Sequence, residues 1–523
     1  MLWWTSAHLV FKLLLSWMEI FNIIMTFFKL SPSMIINHKP YPMKNSVLIL
    51  ILSFFLTFSY AQQNNKKYDE AFQLVEVWLE AQKDFDQLPG LTAIVVEDQE
   101  VLWSGAFGLS NVENNTLADA STLCSICSIS KLFTSVAIMK LYDEGKLRLD
   151  DRIDDLLPAY KLKQKYPDSG PITVRSLMTH SSGLPREAGY PYWTGPDFPF
   201  PTKEQIDDKL IDQETLYPAS TYFQYSNLAL TLLGEIVEEI SGLPYEEYVQ
   251  KNILEPLELS DTRTEMPRGM YGEELAIGYS ALQRTGKREK VNLFQANGIT
   301  PAAGFSSNVI DLGKFASWQF RLRDTTTTEI LKPSTLKNMQ NVHWTNPDWT
   351  TTWGLGFSVY KGPDGNTWVG HGGSCPGYRS TLQLDLKNKR AFSVMINSSG
   401  TNPGKYVKGI NSIMKKAKGT KKEDTSKEDI DTNLLNQYVG YYSQMPWWGE
   451  SYIGVWEGKL VSLSLPSEAP GDSMTFYKHI EGDTFQRIRE NKELGETLKF
   501  KRDKEGNIIH YVRHGNFSRK ILR

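Results

Sequence analysis

The sequence is poor in the features that mark several broad classes of protein. Its 523 residues include only 3 cysteines, which is too few for a framework of disulfides. Its charge is nearly balanced, with 57 Lys and Arg residues against 60 Asp and Glu residues and a net charge of −3. Proteins that bind nucleic acids usually carry a basic surface or a high isoelectric point. The composition therefore predicts no nucleic-acid partner, and no repeat of solenoid length is present.

What the chain does contain is typical of a globular protein. Hydrophobic residues account for 41% of the sequence, charged residues for 22% and aromatic residues for 12%, which is enough to bury a large core. A length of 523 residues favours two or three domains rather than one.

The N-terminal segment carries a pattern typical of export. A positive charge at Lys44 precedes an apolar run over residues 47–58 and a small-x-small sequence, which together match a secretory signal peptide over residues 43–61. We therefore expect residues 1–42 to be an upstream extension outside the native protein and the mature chain to begin near Gln62. This pattern predicts a secreted or periplasmic protein. The alternative is that the N-terminal apolar stretches anchor the protein in a membrane.

The rest of the chain alternates between helical and strand patterns. We expect a helix over residues 68–84, two strands over residues 90–115, a mostly helical stretch over residues 170–290, strands over residues 353–397, a charged linker over residues 415–433 and a strand-rich segment over residues 434–523. The last segment follows the linker, so we predict a small and separate β-barrel-like domain at the C-terminus.

The stretch STLCSICSISKLF places Ser128 and Lys131 three positions apart at the start of an apolar helix. Side chains at this spacing lie on one face of a helix. A serine hydroxyl attacks well only when a base removes its proton, and burial can lower the pKa of a lysine enough for its amine to be that base. The pair is weak evidence by itself, because a capping serine and a solvated lysine often occur at the same spacing.

Two further stretches carry polar groups where chemistry can take place. In YFQYSNLALTLLG, Tyr225 precedes Asn227, which we expect to be the N-cap of a helix that ends at Gly242. In WVGHGGSCPGY, a strand ends at His371 and two glycines, which allow a ligand or another backbone to approach closely. Each stretch alone is equally typical of a capped helix or a plain turn.

The order and spacing of S-x-x-K, Y-x-N and H-G-G resemble the penicillin-recognising serine hydrolases, which include class C β-lactamases, related D,D-peptidases and many esterases. The stretches GKLRLDDRIDDLLP, ITVRSLMTHSSGLP and ITPAAGFSSNVIDLGKFA match the same family. The resemblance covers about residues 70–415 and implies a catalytic domain over residues 62–414. The implied fold is the α/β β-lactamase/transpeptidase-like fold, an antiparallel sheet flanked by helices with an inserted helical subdomain. The C-terminal segment resembles the lipocalin-like β modules appended to many of these hydrolases.

The resemblance also implies a role for each motif residue. Ser128 is the expected nucleophile that forms an acyl-enzyme, and Lys131 and Tyr225 are the expected base and acid. Which of these two takes the first proton stays open at this point. Asn227 is expected to orient the lysine and the substrate. No metal or organic cofactor is implied.

The strand near the end of the catalytic domain is expected to bind the substrate. The backbone N–H groups of Ser128 and Ser374 are the expected oxyanion hole, and the strand at His371, Gly372 and Gly373 is expected to dock the acyl group. His371 stands where most β-lactamases have a lysine, and Gly372 replaces a threonine whose hydroxyl helps to hold a substrate carboxylate. These departures weaken the case for β-lactams and D-Ala-D-Ala peptides and leave esters and modified peptides open.

We therefore predict an exported serine hydrolase that cleaves an ester or amide bond in a small molecule or peptide, including cell-wall-derived ones. The first alternative is a true β-lactamase, a D,D-carboxypeptidase or a D-aminopeptidase. The second is a non-catalytic module that binds peptidoglycan or another ligand. No G-x-S-x-G elbow or H-E-x-x-H helix occurs, which disfavours an α/β-hydrolase or a zinc protease.

Several aromatic and histidine residues remain without an assigned role. The loop over residues 189–201 and Trp353 are expected either to line the mouth of the site or to cover the surface. His180 is expected to be structural. Trp447 and Trp448 are expected to cap the active site, to bind a separate ligand or to belong to the core.

Overall fold

The computed structural model describes residues 68–158, 160, 163–419 and 432–523. The predicted extension, the predicted signal peptide and the centre of the predicted linker lie outside these described residues. The helices are α1 (68–85), α2 (Ser130–Asp143), α3 (Ile153–Leu156), α4 (Val174–Met178), α5 (Lys203–Leu210), α6 (Asn227–Ser241), α7 (Tyr245–Val249), α8 (Thr300–Ala303), α9 (Val309–Asp324), α10 (Pro333–Met339), α11 (Pro403–Gly419), α12 (Thr432–Leu435) and α13 (Pro470–Ser473).

The strands fall into a large sheet, a short two-stranded ladder and a barrel. They are β1 (Gly90–Glu97), β2 (Glu100–Asn111), β3 (Thr116–Leu117), β4 (Cys124–Ser125), β5 (Ser306–Ser307), β6 (Trp344–Thr345), β7 (Thr352–Trp353), β8 (Ser358–Lys361), β9 (Thr367–Cys375), β10 (Tyr378–Asp385), β11 (Arg390–Ile396), β12 (Gly440–Ser443), β13 (Glu450–Trp456), β14 (Lys459–Leu465), β15 (Thr475–Glu481), β16 (Thr484–Ile488), β17 (Leu494–Arg502), β18 (Ile508–Arg513) and β19 (Asn516–Ile521).

The large sheet has nine strands in the order β3-β2-β1-β11-β10-β9-β8-β7-β6, and its paired neighbours run antiparallel. Strands from the beginning and the end of this domain, β1 and β11, are neighbours in the middle of the sheet. Helices α2–α8 lie between β4 and β5 in the chain. The expected antiparallel sheet with an inserted helical part is therefore confirmed.

The sheet is covered on both faces because its central strands are apolar on both sides. In β1, Ile94 and Val96 pack in a core with helices α2 and α9. The alternate residues Ala93 and Val95 pack in a second core with α1 and α11. Successive side chains of a strand point to opposite faces, so α2 and α1 lie on opposite sides of the sheet.

Strands β12–β19 close into a barrel of eight strands, which confirms the predicted C-terminal all-β domain. Its interior apolar side chains form a cluster of their own that includes Ile453 and Leu460. Residues on the outside of the same strands, such as Val461 and Leu463, belong instead to the core that contains α1. The barrel therefore packs against α1 and is joined to the catalytic domain by a shared apolar core.

The described helix α11 runs on to Gly419, which is inside the segment predicted as a linker from residue 415. The helix continues because Ala417 is still buried in the shared core. Residues 420–431 lie outside the described residues. In the part of the chain that the structure describes, no helix is both long and apolar enough to cross a bilayer.

Candidate active site

Ser128 lies in a tight turn directly before α2. The turn Cys127–Ile129 is a 3-10 turn, and Cys127 has a φ of 51°, a left-handed conformation that L residues rarely adopt. The Ser130 hydroxyl holds the turn, because it donates to the Cys127 carbonyl at 2.6 Å and accepts from the Phe305 amide at 3.1 Å. Ser128 is partly exposed although both of its neighbours are buried. The fold thus makes this hydroxyl accessible from solvent.

Lys131 is fully buried next to Ser128. Its Nζ lies 3.1 Å from Ser128 Oγ. It donates to Asn227 Oδ1 at 2.8 Å and to the Ala302 carbonyl at 2.7 Å. Burial lowers the pKa of Lys131 to about 7, because the ammonium ion loses more than the neutral amine when it leaves water. A substantial fraction of this lysine is therefore uncharged at neutral pH.

Tyr225 contacts the same two side chains. Its side chain lies beside Ser128, and Lys131 Nζ lies 5.0 Å from the centre of its ring. Burial raises the pKa of Tyr225, so its phenol keeps the proton at neutral pH. The structure thus brings Ser128, Lys131, Tyr225 and Asn227 into one cluster.

The prediction that Asn227 caps its helix is wrong. Ser226 is the N-cap of α6, and its hydroxyl accepts from the Ala229 amide at 2.9 Å. Serine and asparagine cap helices about equally well, and here the buried Lys131 takes the Asn227 oxygen instead. The helix ends as predicted at Gly242, whose φ of 71° is left-handed.

The edge of β9 beside the Ser128 turn is open. Strand β8 pairs with β9 only as far as Gly370, and no other described strand pairs with that side of β9 beyond this point. Gly372 and Ser374 are exposed on the following segment. An open strand edge can accept the main chain of an extended ligand.

The two glycines of the H-G-G motif meet different surroundings. A Cβ at Gly373 would lie 2.3 Å from the Ile126 carbonyl oxygen, so only glycine lets β9 pack against the turn of Ser128. A Cβ at Gly372 would have its nearest neighbour, the Ser380 carbonyl oxygen, at 3.8 Å. Gly373 therefore serves packing, while Gly372 leaves space on the open side of the strand.

His371 is neutral, and its Nε2 is the ring nitrogen that can accept a hydrogen bond. Its Nδ1 lies 2.6 Å from the Gly372 carbonyl, which can only accept, so the ring proton is on Nδ1. Its Nε2 is buried and has no hydrogen-bond partner in the described part of the chain. Burial lowers the pKa of His371 to about 3, and the nearby Lys131 lowers it as well. The site therefore lacks the cation that a lysine would supply at this position.

Glu187 belongs to the cluster, and the sequence analysis missed it. It accepts from Asn227 Nδ2 at 2.6 Å and from Trp193 Nε1 at 2.9 Å. Since an ionised carboxylate can only accept, this contact turns the amide nitrogen of Asn227 towards Glu187 and its oxygen towards Lys131. Burial raises the pKa of Glu187, and its second oxygen is buried without a partner in the described residues. Glu187 closely follows THSSGLP in the sequence, but nothing in the spacing links it to a helix 40 positions later.

Aromatic rings support the Tyr225 side chain. The His180 ring lies 4.3 Å from the Tyr225 ring, and its Nδ1 accepts from the Ser226 amide at 3.2 Å. Trp353 packs at 5.5 Å from the His371 ring and 6.3 Å from the Tyr225 ring. His180 thus positions the segment that carries Tyr225, and Trp353 lies in the wall of the site.

The remaining aromatic candidates divide between the site and the barrel. The loop over residues 189–201 reaches the site through Trp193, which holds Glu187. Trp447 and Trp448 are 89% and 54% exposed, so neither is a core residue. Both belong to the barrel, on the side of the sheet opposite to α2.

Comparison with known proteins agrees with this geometry. The Beta-lactamase family model matches residues 78–411. Penicillin-binding protein 4* of Bacillus subtilis is 24% identical over 372 residues, which cover 67% of this chain and 78% of that protein. The structure of the octameric penicillin-binding protein homologue from Pyrococcus abyssi has a TM-score of 0.58 and 25% identity, and the match covers 86% of this chain and 100% of that chain.

A D-stereospecific amidohydrolase from Streptomyces sp. shares the fold, with a TM-score of 0.54, 24% identity, and coverage of 64% of this chain and 96% of that chain. The family match spans the sheet, the helical insert and the Ser128–Lys131–Tyr225 cluster. The resemblance inferred from the three motifs is confirmed. The chain belongs to the Beta-lactamase family of serine hydrolases.

Proposed function

We propose that this protein hydrolyses an ester or amide bond through an acyl-enzyme on Ser128, with Lys131 as the first base. One observation carries the proposal. A fully buried lysine amine with a pKa of about 7 lies 3.1 Å from the hydroxyl of a partly exposed serine.

The hydrogen bonds of Lys131 are compatible with a neutral amine. Asn227 Oδ1 and the Ala302 carbonyl can only accept, and a neutral amine has two N–H groups to give them. Its lone pair is then left for the third neighbour, the Ser128 hydroxyl. As Ser128 Oγ attacks the substrate carbonyl carbon, its proton passes to Lys131 Nζ.

Tyr225 is suited to the second proton transfer. Its raised pKa keeps the phenol protonated, so it does not begin the reaction as a base. Because its side chain lies beside Ser128 and its ring lies 5.0 Å from Lys131 Nζ, its phenol is placed to give a proton to the leaving group and to recover one from Lys131. Water then attacks the acyl-enzyme, its proton returns by the same groups, and Ser128 leaves as the hydroxyl.

The oxyanion of the tetrahedral intermediate would accept hydrogen bonds from the backbone N–H groups of Ser128 and Ser374. The open edge of β9 supports this assignment, because it exposes Ser374 beside the turn that carries Ser128. Loss of one such donor typically costs about 2.7–4 kcal/mol of transition-state stabilisation.

The substrate we favour has an uncharged acyl group. His371 is neutral and Gly372 has no hydroxyl, so neither can hold a carboxylate as a lysine and a threonine would. The second candidate is a substrate with a carboxylate, such as a β-lactam or a D-amino-acid peptide. Arg186 favours it, because this exposed guanidinium, which also pairs with Glu187 at 3.5 Å, lies 5.1 Å from the Tyr225 ring at the mouth of the site.

Mass spectrometry tests the nucleophile. The protein is incubated with a fluorophosphonate and separately with a penicillin, beside the Ser128→Ala variant. We expect a fluorophosphonate adduct on Ser128 that the variant lacks. A folded protein that forms no adduct with either reagent would contradict the proposal and favour a binding module.

Steady-state rates then distinguish a substrate with an uncharged acyl group from one with a carboxylate. A p-nitrophenyl ester of a neutral acid is compared with nitrocefin, which carries a carboxylate. Faster turnover of the ester supports the uncharged acyl group, whereas efficient hydrolysis of nitrocefin supports the carboxylate-bearing candidate.

We also propose that the protein is exported, which N-terminal sequencing of the native protein tests by locating the mature start near Gln62.

A further inference from the structure

The interior of the C-terminal barrel changes character along its length. On β14, the inward-facing positions are Leu460, Ser462 and Ser464, because the alternate residues pack outward against the core of α1. On β13, Ile453 and Ser451 also face inward. Ser451 lies opposite Ser464, so both serines are at the same end of the barrel. One end of the barrel is thus filled with apolar side chains, whereas the other is lined with hydroxyls.

The hydroxyl-lined end is a cavity rather than a packed core. The cavity continues from the barrel to the C-terminal end of α1, where it opens to solvent, and its whole volume is about 800 Å³. Eight-stranded barrels are wide enough to hold one small ligand, and ligand pockets typically measure about 300–1,000 Å³. Side chains that fill such a barrel are normally apolar, so an inward layer of hydroxyls indicates that this end accommodates something polar.

The polar groups of this cavity are held in place by one another. Gln444 Nε2 lies within hydrogen-bonding distance of three hydroxyls, Tyr511 Oη at 2.6 Å and those of Ser451 and Ser518 at 3.1 Å each, and its two hydrogens are shared among them. Tyr511 and Ser451 are both more than nine-tenths buried. Serine and tyrosine hydroxyls can donate and accept at once, so this lining suits a ligand whose own groups do both.

The rim of the cavity supplies flat apolar surfaces. Trp448 is 54% exposed and Phe85 is 44% exposed, and both border the opening. Three charged residues also line the cavity: Asp86 and Glu468 both pair with Lys405, at 2.6 and 3.8 Å, and Arg513 is exposed. A ligand in the cavity would therefore contact neutral hydroxyls inside it, and aromatic faces and the Arg513 side chain at its opening.

We propose that this end of the barrel is a saccharide-binding site. A sugar ring carries hydroxyls that donate and accept, which match the serine and tyrosine lining, and apolar C–H faces, which pack on aromatic rings. An acyl chain would make no hydrogen bonds with these hydroxyls. The site is distinct from the Ser128 cluster, since the barrel and α2 pack on opposite faces of the sheet.

The test uses the full chain, titrated with maltotriose, xylotriose and N,N′,N″-triacetylchitotriose and followed by calorimetry and tryptophan fluorescence. We expect at least one of these sugars to bind. Trp448→Ala and Ser464→Leu should each weaken that binding by about tenfold, which corresponds to about 1.4 kcal/mol. Trp447→Ala is the matched control, because this neighbouring tryptophan is 89% exposed and does not line the cavity.

The catalytic domain reports whether each variant is folded, since all three should retain the fluorophosphonate reaction at Ser128. Failure of all three sugars to bind at millimolar concentration would overturn the proposal. Binding that survives both Trp448→Ala and Ser464→Leu would also overturn it, because the sugar would then occupy another part of the protein.

Discussion

Lys131 determines the pH dependence that we expect for the reaction. The attack by Ser128 requires a neutral amine, and burial lowers the pKa of Lys131 to about 7. We therefore expect kcat/KM for a neutral ester to rise as the pH rises through about 7, because below this value the amine is protonated and inactive. A profile that stays flat through this region would show that a different group is the base.

Glu187 should tune this profile through its charge. Its carboxylate stabilises the ammonium form of Lys131 and so raises the pKa of the lysine against the larger effect of burial. Glu187→Gln keeps an oxygen for Asn227 and Trp193 but removes the charge, so the acid limb of kcat/KM should move to lower pH. The measurement is the pH profile of the variant beside that of the unaltered protein.

Glu187→Leu is the companion variant. It leaves the Asn227 amide nitrogen and the Trp193 ring N–H without their acceptor, so kcat should fall in addition to the shift in pH. If neither variant moves the acid limb, Glu187 is a structural residue only.

At the scale of residues, local spacing predicted that Ser128 and Lys131 are neighbours, but it did not predict the contact between Glu187 and Asn227. Ser128 and Lys131 are three positions apart, so one helical turn makes them neighbours. Glu187 contacts Asn227 only because a loop returns to the start of α6, 40 positions further along the chain. The neutrality of His371 also depends on burial, which is a property of the folded site.

At the scale of elements, the contact between β9 and the Ser128 turn rests on one glycine. In Gly373→Ala, the new Cβ would clash with Ser380 Oγ and with the Ile126 carbonyl oxygen, so the strand or the turn must move. Overpacking of this kind typically costs about 1–3 kcal/mol. We expect a lower melting temperature and a loss of kcat, measured by thermal denaturation and ester hydrolysis.

Gly372→Ala is the control for this prediction. Its Cβ would meet its nearest neighbour at 3.8 Å, so stability should stay near that of the unaltered protein even if substrate binding changes. Equal melting temperatures for Gly373→Ala and Gly372→Ala would mean that β9 does not pack closely against the Ser128 turn at Gly373.

At the scale of the whole molecule, the barrel and the catalytic domain should share their stability. Leu463 lies on a barrel strand but is fully buried in the core that contains α1. We expect Leu463→Ala to cost about 2–5 kcal/mol. It should lower the temperature at which Ser128-dependent activity is lost, as well as the melting temperature of the barrel.

Ile509→Ala is the matched control, because this barrel residue is 42% exposed and such surface changes usually stay within about 0.5 kcal/mol. If Leu463→Ala leaves the thermal inactivation of the active site unchanged, the two domains unfold independently.

The sequence by itself determined the family, the placement of Ser128 beside Lys131, the antiparallel sheet with its helical insert, and the β-rich C-terminal domain. These depend on short motifs and on alternating or helical periodicity, which are local properties of the chain. The tertiary structure decided that Ser226 rather than Asn227 caps α6, that Glu187 joins the site, and that the barrel shares a core with α1. Each of these arises where distant segments meet and where burial changes the properties of a group, which no local pattern encodes.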